Sequence, residues 1–173
     1  ATATNAASPS SATNPPLAPP PVLTAVPTNP SAPLVPPGAP EQIEKLETAD
    51  AVYTFTSHGG ALKLVQLKKY LETVGGFGSK SAASREMVTL NTRALAPVLA
   101  LRGSEAITGD GLFQLTKVSS NSLRAEKLLP GGLAITKEFT LRSDYLLTAR
   151  VRMENRAAQP LPLPERSWTA GTA

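Results

Sequence analysis

From Leu133 to Met153 the side chains alternate between apolar and polar with a period of two, interrupted once by a turn. Leu133, Ile135, Lys137, Phe139 and Leu141 fall on one side, and Ala134, Thr136, Glu138, Thr140 and Arg142 on the other. After Ser143-Asp144 the pattern resumes, with Tyr145, Leu147, Ala149, Val151 and Met153 opposed to Thr148, Arg150, Arg152 and Glu154. Side chains repeat every two residues in a strand and every 3.6 in a helix, so this stretch predicts two long strands about a tight turn. One face is apolar and the other charged, the signature of antiparallel sheet packed on a core. Lys137 alone interrupts the apolar face.

Further strand signals precede that pair. Ala51 to Ser57 is rich in β-branched and aromatic residues, His58-Gly59-Gly60 punctuates it, and Ala61 to Tyr70 follows as a second run. A hairpin is expected, with the glycines supplying positive φ at the reversal. Glu41 to Asp50 is charged, tolerant of helix and short, and is expected to lead into the first strand. Leu71 to Glu86 loses its periodicity among Gly75, Gly76 and Gly78 and reads as a loop. Met87 to Asn91 and Leu95 to Leu101 are short apolar runs, Pro97 placing the second at an edge or bulge. Gly109-Asp110-Gly111 turns the chain into two further strand candidates, Leu112 to Val118 and Ser122 to Leu129, closed by Pro130-Gly131-Gly132. Asn155 to Gln159 turns again, and Pro160, Pro162 and Pro164 preclude a regular helix at the end. Many short strands without a long helix favour an all-β, antiparallel β-sandwich.

The first 40 residues obey different rules. Twelve of the 17 prolines lie there, and the first charged residue is Glu41. A segment so poor in large apolar residues cannot bury enough surface to offset its ordering entropy, so residues 1–40 read as a disordered proline-rich linker and 41–173 as the domain. The absence of basic residues flanking the prolines argues against a PxxP ligand. No run of roughly 20 apolar residues crosses a membrane. The chain opens on Ala1 rather than Met, from which we expect a leader or anchor before it. A net charge of +4 with 5% aromatic residues and no dense Lys/Arg cluster describes a mildly basic surface and points to no nucleic acid partner.

Residues that carry chemistry are scarce. His58 is the only histidine, without a GxSxG elbow, and its place beside Gly-Gly suits a turn. With no cysteine and no tight carboxylate cluster in the sequence, a lone histidine cannot build a usual transition-metal site. Gly75, Gly78, Lys80 and Ser81 superficially resemble a phosphate loop, but Val74 and Ser79 stand where its glycines belong. Arg150 and Arg152 share a strand face with Arg156 nearby, and Lys63, Lys68 and Lys69 lie along another run; each group reads as a solvated face, the lysines also as protection of an edge strand. Trp168 reads as a sheet-packing residue in preference to a sugar platform. No catalytic, cofactor-binding or metal-binding residue is nominated, and the chain is not expected to be an enzyme.

Three stretches carry a family resemblance. TFTSHGGALKLVQLKKY (Thr54 to Tyr70) resembles the opening hairpin of the periplasmic domain of the YidC family of membrane protein insertases. GLAITKEFTLRSDYLLTARVRMENRAAQPLPL (Gly132 to Leu163) resembles that domain's long strand pair, with Lys137, Phe139, Asp144-Tyr145 and Asn155 in order, and GTA (Gly171 to Ala173) follows in its place. The resemblance spans about Thr48 to Ala173. It implies a β-supersandwich similar to sugar mutarotase-like domains, incomplete at its C-terminus, on the periplasmic side of a bacterial inner membrane. It also implies that insertion belongs to membrane helices outside this fragment, and that nascent membrane proteins and Sec translocation components are partners through the parent protein. The alternative is a carbohydrate-binding or mutarotase-like module, motivated by Trp168, His58 and the arginine row; such an enzyme needs a converging acid and base that the sequence does not supply.

Overall fold

The computed structural model describes residues 33–72, 86–143 and 145–170. Residues 1–32 of the linker expected over 1–40, the glycine-rich loop with Gly75, Gly78, Lys80 and Ser81, the turn residue Asp144 and the terminal GTA lie outside the described residues. Among the described residues ten strands and a single helical turn follow one another: β1 Ile43–Glu47, β2 Ala51–Thr56, β3 Ala61–Leu71, β4 Met87–Leu90, β5 Leu101–Gly103, α1 Glu105–Thr108, β6 Gln114–Ser119, β7 Ser122–Leu128, β8 Leu133–Leu141, β9 Leu147–Asn155 and β10 Arg166–Trp168. The strands form an antiparallel β-sandwich of two four-stranded sheets, β1-β2-β3-β4 and β6-β7-β8-β9, with a small β10-β5 pair beside them.

The expected hairpins are present. β2 and β3 reverse through His58-Gly59-Gly60, where the Gly60 amide donates to the Ser57 carbonyl at 3.1 Å. Gly60 takes φ +54°, and a Cβ there would lie 2.5 Å from the Phe113 ring, so both backbone and packing require glycine. β8 pairs with β9 over all nine residues without a register shift.

Glu41 to Asp50 differs from the expectation of a lead-in, because its centre is strand β1, paired with β2 from Ile43–Thr56 to Glu47–Val52. Leu46 is its one fully buried residue, and tertiary pairing outweighs a charged, helix-tolerant composition. Thr48 makes the turn, its hydroxyl accepting from the Ala51 amide at 3.0 Å. The run Leu95 to Leu101 is also no continuous strand. Val98 makes an isolated bridge to Leu62, Leu99 has φ +65°, and regular pairing starts only at Leu101. Part of the proline-rich stretch belongs to the folded body: the Leu34 carbonyl sits against Gly111 so closely that a Cβ there would meet it at 1.8 Å.

The core lies between the two large sheets. Leu46, Ala51, Tyr53 and Phe55 from the first meet Leu115, Leu123, Ala125, Ile135, Phe139 and Leu141 from the second. Phe55 and Phe139 contact across the interface, with ring centroids 4.9 Å apart and planes tilted by 48°. Where β1 meets β6, the Gln42 side chain substitutes for a strand neighbour. Its carbonyl accepts from the Leu115 amide and its NH2 donates to the Leu115 carbonyl, each at 3.1 Å.

Candidate interaction surface

From Ile135 to Leu141 β8 behaves as its alternation predicts, whereas at its start Ala134 is buried and Leu133 half-buried. Ile135, Lys137, Phe139 and Leu141 are buried and Thr136, Glu138 and Thr140 half-buried. The surprise is Lys137, whose side chain is fully buried within the apolar face it was expected to interrupt. Its Nζ donates to the Gly59 carbonyl at 2.6 Å and the Leu99 carbonyl at 2.8 Å, and lies 4.7 Å from the Phe113 ring centroid and 5.1 Å from that of Trp168. Burial pushes its pKa down to about 7, whereas carbonyl acceptors and aromatic faces favour the ammonium. Lys137 therefore ties β8 to the Gly59 turn, to the loop before β5 and to β10. Sequence reading missed this role; the signal available was one basic residue at an inward position of an otherwise apolar row.

β9 departs from expectation. Its register places Ala149 opposite Phe139, Val151 opposite Lys137 and Met153 opposite Ile135, on the face that points to the core. Yet Ala149 and Val151 are exposed, and Leu147 and Met153 only half-buried. Val151 is 36% accessible where Lys137, directly opposite, is at 0%. Among the described residues β9 is the outer strand of its sheet. Beside it Leu99, Val151, Met153, Leu163, Arg166 and Trp168 line a groove of about 450 Å³.

The backbone of β9 is equally open. The Leu141 amide donates to Asn121 on the β7 side, while the amides of Arg142 and Arg156 donate to Leu146 and Gly132, each at 2.8 Å. Because hydrogen-bonded and non-bonded pairs alternate along an antiparallel ladder, Thr148, Arg150, Arg152 and Glu154 turn their peptide groups toward β8. Leu147, Ala149, Val151, Met153 and Asn155 turn theirs outward.

The opposite face of this sheet carries charge. Arg124, Glu126, Glu138, Arg150, Arg152, Glu154 and Arg156 surround a shallow depression of about 280 Å³. Arg124 holds Glu138 at 3.1 Å, and Glu154 is shared between Arg152 at 3.6 Å and Arg156 at 3.5 Å. The arginine row is thus a solvated face, as its spacing suggested, lying next to an open strand edge.

The remaining candidates are structural in their contacts. His58 sits in the β2–β3 turn, its amide donating to the Thr56 hydroxyl at 3.0 Å, and it bridges to Leu112. Lys63 pairs with Glu41 at 2.8 Å, Lys68 with Glu47 and Lys69 with Asp50. Partial burial raises the Glu41 carboxyl, but hydrogen bonds from Lys63 and Thr56 outweigh it and hold the group below the usual carboxylate range. These lysines do not protect an edge, because β3 lies inside its sheet between β2 and β4. Trp168 is half-buried in β10 and packs on the core beside the Lys137 ammonium. Among the described residues no group of three or more His, Asp or Glu side chains is placed to hold a metal ion, and no helix is long and apolar enough to cross a membrane. Compared with known proteins, the chain matches no family model, no curated protein and no solved structure.

Proposed function

We propose that this chain is an extracytoplasmic accessory domain of a membrane protein insertase, similar to the periplasmic domain of the YidC family. The observation that carries the reading is the coincidence of sequence and fold. The two long stretches of resemblance, Thr54 to Tyr70 and Gly132 to Leu163, contain the β2–β3 and β8–β9 hairpins whose inner strands meet at the Phe55–Phe139 contact. In this reading the domain stands on the periplasmic side of the inner membrane, its proline-rich segment spans the distance to an anchor, and insertion is carried out by membrane helices of the parent protein. Nascent membrane proteins and Sec translocation components are its partners through that parent. The domain docks, and contributes no reaction of its own. Trp168, the platform the carbohydrate-binding alternative relies on, is half-buried, packing on the core and beside Lys137 while lining the groove next to β9.

The gene on either side tests the reading. A transmembrane helix encoded before Ala1 and several after Ala173 are expected. A stop codon directly after Ala173, or a soluble catalytic domain there, would overturn it.

A further inference from the structure

Lys137 stands at a joint between two parts of the molecule. On the body side its Nζ donates to the Gly59 carbonyl at 2.6 Å, and the Phe113 ring centroid lies 4.7 Å away. On the other side it donates to the Leu99 carbonyl at 2.8 Å, with the Trp168 ring centroid at 5.1 Å. Leu99 and Trp168 belong to a narrow strap. β5 and β10 share three residue pairs, extended by the Leu99 amide donating to the Thr169 carbonyl at 2.8 Å and the Thr169 amide to the Ala100 carbonyl at 3.0 Å. Among the described residues neither strand joins a four-stranded sheet, and the bridge from strap to sheet is Val98 to Leu62. Leu99 also takes φ +65°, a conformation that a leucine keeps only where its surroundings impose it. The side chains of Ala100 and Leu101 are buried, so the closed strap is the prevailing form.

We propose that Lys137 is a proton-operated latch: the neutral amine holds the strap of Leu99 and Trp168 closed, and protonation favours an open form in which the ammonium reaches water. Enclosure is the physical cause. The Lys137 side chain is fully buried, and its hydrogen bonds go to carbonyls rather than to a carboxylate. β7 and β9 set Ala125 and Val151 opposite it. The charged or titratable side chains on the elements packed round it begin with His58 in the turn and Lys127, which lies 5.6 Å from the Phe113 ring centroid and pairs with Asp110. Arg102 and Arg166 follow in the strap. On β8 itself Glu138 turns to the opposite face, where Arg124 holds it at 3.1 Å. Burial alone moves the Lys137 pKa, down to about 7. A closed form that has released the proton an open form keeps is favoured as pH rises above 7, and loses that advantage as pH falls back. Because described residues enclose Lys137 completely, the latch rests neither on the insertase reading nor on an open edge of the fold.

The test is NMR amide exchange on the 173-residue chain between pH 7 and pH 9, each rate taken relative to the unstructured rate at the same pH. The Leu99 and Thr169 amides should be less protected than those of Ile135 and Phe139, because the strap opens without the sheet. Their protection should rise with pH by up to about tenfold per unit. Lys137→Met should abolish the rise. His58→Gln should keep it, which separates the lysine from the other side-chain type that changes charge near neutral pH. Trp168, the single tryptophan, should change its emission as the neighbouring ammonium titrates, with a midpoint near 7. Strap protection that is flat with pH, or equal to that of β8, overturns the proposal. So does a rise that survives Lys137→Met or vanishes in His58→Gln, or a Trp168 emission indifferent to pH. Should Lys137→Met not fold, the Lys137 Cε resonance of the wild type decides instead: titration in step with strap protection supports the latch, and a lysine still charged at pH 9 removes it.

Discussion

β8 and β9 are neighbours of equal length with the same alternation, paired residue for residue, and their inward rows meet opposite fates. Phe139 is sealed against Phe55, and Lys137 is enclosed by two carbonyls and two rings. Val151, directly across from Lys137, is open to solvent. Alternation therefore specifies which way a side chain points, and says nothing about whether anything lies in that direction. The apolar row of β8 is core, and that of β9 is exposed or half-buried among the described residues.

The largest expected break in this comparison comes from truncating the two strands in turn. Phe139→Ala empties a fully buried site between sheets and should cost about 3–5 kcal/mol in urea unfolding, with loss of the Phe55 contact. An effect as small as that of a surface change would mean that the sheets do not close on this residue.

Lys137→Met comes next and is best measured near pH 9, where the lysine is largely neutral and its amine still donates to both carbonyls. Leaving the Gly59 and Leu99 carbonyls without that donor should destabilise the fold by about 1–3 kcal/mol. The wild-type chain should also respond to pH in a definite direction. The folded pKa of Lys137, about 7, lies below the ordinary lysine value of 10.5. Across that window the unfolded chain holds a proton that the folded chain has released, so stability rises with pH from about 7 upward. The slope from this group is at most about 1.4 kcal/mol per pH unit. Denaturant midpoints between pH 7 and pH 9 should therefore climb in the wild type, and Lys137→Met should lose that climb. A wild-type midpoint flat over this range would show that the carbonyls and rings keep the ammonium charged throughout.

Val151→Thr should be the mildest change, within about 0.5 kcal/mol of wild type, because its methyls gain little from folding. A cost comparable to that of Phe139→Ala would show β9 to be covered in solution, and would remove the contrast between the strands.

Much of the fold was legible because local rules and global packing agree. The β2–β3, β6–β7 and β8–β9 hairpins follow from strand-like runs bounded by glycine, serine, asparagine and proline. The sequence reading failed where a segment takes its structure from a partner. β1 is charged and has one buried side chain, Leu46, so only pairing with β2 makes it a strand. Lys63, Lys68 and Lys69 read as edge protection because the hydrophobic pattern does not say how many strands follow; β4 pairs beyond them. Of the interaction surface, the arginine face was visible as Arg150 and Arg152 at spacing two, whereas the groove was not. It is built from Leu99, Val151, Leu163 and Trp168, residues far apart in the chain that meet when β10 pairs with β5.

The open row of β9 and the buried lysine of β8 mark the division of labour. The sequence by itself determined the positions of β8 and β9 and the face to which each of their side chains turns, since these depend on the two-residue repeat of the pleat and on residues adjacent in the chain. Only the tertiary structure decided that Lys137 is enclosed and Val151 is not. Burial depends on what the first sheet, the Gly59 turn and β10 place above each position, and those elements arrive through contacts 38 and 78 residues away in the chain.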